Sequence, residues 1–236
     1  CISLNILYLY TLKINIIMAT KKSAITKEKI VSMYMNYSLE HNEKPKSVYK
    51  FTKVNEITET EFYTFFGTIE SVEKEIFKMF YDKTIELLQK DKEYESYDMR
   101  SKLLGFNFTF FELLTANRSY VVMTLKEHGN QLKNLIQLTS LRMNYKRFVS
   151  EIITDDFRTQ QEQFQNFQEK AFQESSWFQL LLTMKFWLDD SSPAFEKTDI
   201  YIEKSIKATF ELMNIAPIDS LIDFGKFIFK EKIYSK

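Results

Sequence analysis

One stretch of this chain combines residue types and spacing that could do chemistry: SVYKFTKVNEITETEFYTFF, residues 47–66. Ser47 and Thr58 stand where the N-caps of two short helices would fall, with a tight turn around Asn55 to Ile57 between them. In such a pair the second helix can enter the major groove of DNA while the first crosses the backbone. Hydroxyls and backbone N–H groups at helix starts bind phosphates, so Ser47, Thr58 and Thr68 are candidates, with Tyr63 as a further phosphate contact. Lys46 and Lys50 would add positive charge beside them, and Thr60, Glu61 and Thr64 would face the bases. The plainer reading of Phe62, Phe65 and Phe66 is that they pack a small domain, which is compatible with either role.

Other chemistry is hard to assemble. His41 and His128 end separate predicted helices, with no metal-ligand spacing to another His or Cys; each reads as a cation near a helix C-terminus. Asp155-Asp156 and Asp189-Asp190 read as solvated helix ends. There is no glycine-rich phosphate loop and no nucleophile elbow. The single Cys, Cys1, precludes an intrachain disulfide and points to a reducing, cytoplasmic setting. The expectation is a protein that is not an enzyme, with no catalytic residue, metal or cofactor.

The elements that must position residues 47–66 are helical. Only 4 Gly and 3 Pro interrupt 236 residues, which favours an all-α chain over a turn-rich β architecture. Helices are expected over 26–41, from Ser47, over 58–66 and over 69–90. The polar segment DKEYESYD, residues 91–98, marks a boundary, and longer helices follow over 98–115, 117–127, 130–153, 155–189, 196–214 and 218–233. Residues 1–17 are apolar but too short for a membrane span and carry Lys13 and two Asn, so they read as an upstream extension ahead of Met18. The expected organisation is therefore 1–17 as extension, 18–90 as helix-turn-helix domain and 91–236 as a second helical domain.

Residues 26–90 resemble the DNA-binding domain of the TetR (tetracycline repressor) family of transcriptional regulators. The resemblance lies in Ser47-Val48, Phe51-Thr52, Asn55-Glu56-Ile57-Thr58, Phe62-Tyr63-Thr64-Phe65-Phe66 and Thr68-Ile69-Glu70-Ser71-Val72, which keep the family's spacing without a gap. It implies an N-terminal three-helix helix-turn-helix domain joined by a fourth helix to a C-terminal bundle. It further implies a homodimer that binds double-stranded operator DNA and a ligand pocket in the bundle. The departures are Glu56 at the family's turn glycine, Glu59 where Lys or Arg is common, Glu61 on the same helix, and Ile69 in place of a phosphate-binding Lys. Residues 21–53 carry a balance of +5, while residues 54–75 carry −5 through Glu56, Glu59, Glu61, Glu70, Glu73 and Glu75 against Lys74. Carboxylates facing phosphates oppose binding. The alternative is thus a TetR-like interaction or small-ligand-binding module that has lost DNA binding.

In the second domain, Trp177, Leu180, Leu181, Met184 and Leu188 form one apolar stripe and Ile202, Ile206 and Phe210 another. They are either core or the two-fold face of a homodimer, and two stripes on adjacent antiparallel helices favour the dimer. The aromatic run GFNFTFFELLTANRSYVVMTL, residues 105–125, places Phe106, Phe110 and Leu113 on one face and Phe108, Phe111 and Thr115 away from it. Phe106, Phe108, Phe110 and Phe111 with Met123 and Met143 would line a pocket for a small apolar or aromatic effector; tight core packing is the competing and commoner use of such residues.

Overall fold

The computed structural model describes residues 24–126, 137–153 and 162–215, and every regular element among them is helical. The expected helices 26–41 and 69–90 appear as α1 (Lys27–His41) and α4 (Ile69–Leu88), with α2 (Val48–Val54) and α3 (Glu59–Tyr63) between them. α5 (Met99–Ala116) and α6 (Arg118–Lys126) follow, then α7 (Thr139–Ile152), α8 (Glu162–Asp189) and α9 (Glu196–Ile215). Short 3-10 turns sit at Tyr94–Ser96 and Pro193–Phe195. The expected extension 1–17, the helix 218–233, His128 and Asp155-Asp156 lie outside the described residues.

Local chemistry explains the boundaries. Thr26, Ser47, Thr58 and Thr68 cap α1 to α4, each side-chain oxygen accepting from the backbone N–H three residues on. α2 ends in a Schellman arrangement: Ile57 N–H donates to Thr52 O at 3.0 Å, and Glu56 N–H to Lys53 O at 3.4 Å. α3 stops at Tyr63 rather than at the expected Phe66. The Phe65 and Phe66 amides both donate to Phe62 O, a tightening that turns the Phe66 ring under the domain, 6.0 Å from Phe62.

The core runs unbroken from head to body. In the head, Tyr34, Phe51, Phe62 and Phe66 pack ring against ring. α4 then passes from α1 to α5 and α7, so one helix belongs to both parts. In the body, Phe106 stacks on Phe110 and Phe148 and touches Tyr145, with centroids at 4.9–5.6 Å. The buried stripe of α5 is Leu103, Phe106, Phe110, Phe111 and Leu114. Phe111 therefore faces inward and Leu114 takes the place expected of Leu113, because α5 is covered on two sides.

The helices α8 and α9 correct one expectation directly. Trp177, Leu180, Met184, Ile202 and Ile206 are buried within the chain itself, and Leu181, Leu188 and Phe210 pack half-buried against that core. The fully buried members of this set pack the chain's own core, while Leu181, Leu188 and Phe210 keep part of their surface exposed. The outward stripe is offset by one residue on α8: Phe178, Leu182 and Phe186 are exposed, and Ile200 of α9 is exposed beside them. Both stripes are apolar, so periodicity alone does not tell inner from outer.

The helix connection between them is held by two polar anchors. Arg118 donates to the carbonyls of Trp187, Leu188 and Asp190 at 3.0–3.3 Å and lies over the Trp187 and Phe195 rings. Asp190 is not a solvated helix end: it is buried and accepts from the amides and hydroxyls of Ser192 and Thr198 at 2.7–3.0 Å. Burial alone would raise its pKa, but these four hydrogen bonds hold it at about 2.

Candidate functional site

The head presents α2 and α3 with most of their polar residues outward. Lys46, Lys50, Lys53, Glu59, Thr60 and Thr64 are exposed, and Tyr63 stands 53 % exposed beside its buried neighbour Phe62. Tyr49 is likewise exposed, with Lys53 Nζ 5.7 Å over its ring. Lys46 is 3.6 Å from Glu43, an exposed pair worth little. The three hydroxyls predicted at phosphates all serve as caps. Ser47 Oγ accepts from Lys50 N–H at 3.2 Å, Thr58 Oγ1 from Glu61 N–H at 3.1 Å and Thr68 Oγ1 from Ser71 N–H at 3.2 Å. Thr64 Oγ1 donates to Thr60 O at 2.9 Å.

Glu61 does not face outward as a base contact. Its carboxylate folds back over the start of α3 and accepts from Thr58 N–H at 2.7 Å and Thr58 Oγ1 at 2.9 Å. This is a capping box, and it neutralises a helix N-terminus rather than opposing DNA. Two more carboxylates of the acidic block turn inward on α4. Glu73 pairs with Lys44 and Glu75 with Lys27. Glu70 sits in the first turn of α4, where hydrogen bonding to its own amide and to Thr68 lowers its pKa. What remains at the exposed turn is Glu56, held at φ 53°, and Glu59.

The expected effector lining does not come together as one surface. Phe106 and Phe110 are fully buried against other rings, and Phe111 is buried beside Trp187. Phe108 is half-buried, while Met143 is 65 % exposed on the outer side of α7. Met123 lines a cavity of about 10 Å³ between α1, α4 and α6, room for one water. Sequence reasoning missed a different feature of this core. Ser176 Oγ and Gln179 Oε1 are buried without a hydrogen-bond partner among the described residues. Gln179 instead donates its amide to Thr183 and Ser205 at 2.9 and 3.0 Å. Ser176, Gln179 and Thr183, at i, i+3 and i+7 along the inner apolar stripe of α8, were the available signal.

A concavity lies between α8 and α9. A groove of about 750 Å³ is walled by Phe178, Leu182 and Phe186 on one side and Ile200, Tyr201 and Ala208 on the other. Phe186 and Tyr201 stack at 4.6 Å across it. The walls of this groove are mainly apolar and partly exposed.

Among the described residues no helix is long and apolar enough to cross a membrane. None of their His, Cys, Asp and Glu side chains gather as three or more around a possible metal position. A family model described as tetracyclin repressor-like, C-terminal domain, matches residues 102–228. No curated protein matches the chain significantly.

Proposed function

This chain belongs to the tetracycline repressor-like family, and from that premise we propose that it is a cytoplasmic regulator that binds a pseudo-palindromic operator as a homodimer. The observation that carries the DNA part is the capped α2–turn–α3 unit with Lys46, Lys50, Lys53 and Tyr63 outward, while Glu61, Glu73 and Glu75 are engaged internally. The acidic count of the sequence therefore overstates the repulsion a duplex would meet. α3 enters the major groove with Thr60 toward bases, and the backbone N–H groups at the starts of α2 and α4 donate to phosphates. Residues 24–90 act as the reading head and the remainder as the body that pairs and responds.

The second copy docks on the groove between α8 and α9, so that Phe178, Leu182, Phe186 and Ile200 of each chain form a four-helix face. The effector binds in the body. The unpartnered Ser176 Oγ and Gln179 Oε1 support a ligand that brings hydrogen-bonding atoms on an apolar frame. Its preference for one of two head spacings would set the response.

The test is fluorescence anisotropy with a duplex from the region upstream of the chain's own coding sequence, at 50 and 200 mM salt. With Lys46, Lys50 and Lys53 on each of two heads neutralising roughly four to six phosphates, affinity should fall by about 10²–10³-fold between those salts. Absence of salt-sensitive binding to that duplex and to random duplex would favour the family-like interaction module that has lost DNA binding, with Glu56 and Glu59 as its exposed acidic mark.

A further inference from the structure

Helix α4 carries two glutamates that it does not leave in water. Glu73 is 8 % exposed and meets Lys44 Nζ at 2.9 Å and the Tyr34 hydroxyl at 2.5 Å. Glu75, with 17 % of its side chain exposed, takes Lys27 Nζ at 2.6 Å, and that ammonium also lies 5.8 Å above the Phe66 ring. Lys27 opens α1, Tyr34 sits near its middle and Lys44 follows its end. The three contacts thus tie the whole length of α1 to α4.

Their physical character differs from the apolar packing around them. Burial of rings is non-directional, so Tyr34, Phe51 and Phe62 alone would tolerate a change in the angle between the two helices. Charge-assisted hydrogen bonds are short and directional, and a buried carboxylate left without its cation is strongly unfavourable. Burial, then the charges of Tyr120 and Glu73, raise the Tyr34 pKa, so its hydroxyl stays protonated and donates. Next to the trio lies the small polar cavity lined by Ser38, Glu43 and Thr124. Ser38 Oγ, 1 % exposed, borders this cavity beside Tyr34, and one water there would complete the network. Beyond Glu75, α4 packs on α5 and α7. α1 also packs on α6, where Tyr34 meets the Tyr120 ring, so the angle of α1 on α4 and α6 together sets the angle of the head on the body.

We infer that Lys27, Tyr34 and Lys44, acting through Glu73 and Glu75, are positioning residues that hold the reading head at one orientation to the body. The inference rests on the proposed reading of residues 24–90 as a head that shares α4 with the body, but the orientation is a property of the single chain. It also assigns work to the +5 and −5 blocks of the sequence: part of each neutralises the other across the joint.

Pulsed dipolar EPR on the full chain tests it. Spin labels are placed at Lys53→Cys on α2 and Glu112→Cys on α5, both exposed, with Cys1→Ser, and labelled chains are diluted into unlabelled ones. The parent should give one narrow distance. Glu73→Gln and Glu75→Lys should each lose that single distance for a broad distribution, and the swap Lys27→Glu/Glu75→Lys should restore it. Parent-like distributions in both single variants would overturn the inference, as would broadening that the swap leaves in place. If Glu73→Gln loses its helical circular dichroism, the Glu75 arm decides, because that pair is partly exposed. Failure of the DNA reading would show in the duplex titration and leave these distances unchanged.

Discussion

Glu56 stands at the one turn position where α2 ends and the chain must enter the left-handed region, at φ 53°. A Schellman ending favours Gly there because Gly has no Cβ to meet the neighbouring carbonyl. For a residue with a Cβ the left-handed conformation costs about 1–2 kcal/mol. A glycine gives back roughly 0.4–1 kcal/mol through the greater freedom of its unfolded chain. The balance for Glu56→Gly is a stabilisation of about 0.5–1 kcal/mol, and at ~2–4 °C per kcal/mol for a domain of this size the Tm rises by roughly 1–4 °C. Glu56→Gln separates backbone from charge, since it keeps the strain and removes the carboxylate. Two charges roughly 10 Å apart in water repel by about 0.4 kcal/mol. Each head freed of that charge should therefore bind a duplex about twofold tighter, in both variants. Calorimetric melting of parent, Gly and Gln forms, followed by duplex titration, resolves the two effects. The reasoning is refuted if Gln melts as high as Gly, or if Gly lowers Tm.

Two further outcomes follow from the body. Phe178→Glu with Leu182→Lys should convert a dimer to monomers in sedimentation velocity without loss of helix, because both residues are exposed in the single chain; Leu180→Ala, fully buried, should instead lower stability by about 2–5 kcal/mol. Asp190→Asn should destabilise by about 1–3 kcal/mol at neutral pH through the weakened bonds to Ser192 and Thr198. Since the folded pKa of Asp190, about 2, lies below the usual 3.8, its contribution is present above about pH 4 and lost as pH falls through about 2. The parent and the Asn form should therefore converge in acid, as read by melting between those limits.

The parts of the fold that rest on local chemistry were legible in the sequence. Ser47, Thr58 and Thr68 cap helices where their spacing predicts, since a hydroxyl reaching an amide three residues on is a short-range event. The scarcity of Gly and Pro likewise predicts the helical architecture. What was not legible depends on which surface a side chain meets. Glu61 has the composition of a base reader or of a cap, and only the bend of its side chain over Thr58 decides between them. Glu73 counts as one more negative charge near a turn until Lys44 and Tyr34 are brought across from α1. Asp190 reads as a solvated end until Thr198, eight residues on, closes over it.

The same limit governs the association face, and there it carries information. α8 is apolar on two sides: Leu180 and Met184 turn toward α5 and α9, while Phe178, Leu182 and Phe186 turn away. A hydrophobic period of 3.6 is satisfied equally by both stripes, so the sequence alone does not tell the buried stripe from the exposed one. Yet the doubling itself is a physical statement. α8 buries only one of its two apolar faces in the chain's own core, and the second remains as an exposed strip beside Ile200 and Tyr201. The polar residues sharpen the assignment, because Ser176, Gln179 and Thr183 sit on the inner side, where Ser205 and Asn107 supply partners for the Gln179 amide. An inner stripe that tolerates polar atoms and an outer one built of phenylalanine and leucine invert the usual pattern. That inversion is the argument for a second copy: it puts the most apolar surface of the body where another chain can reach it.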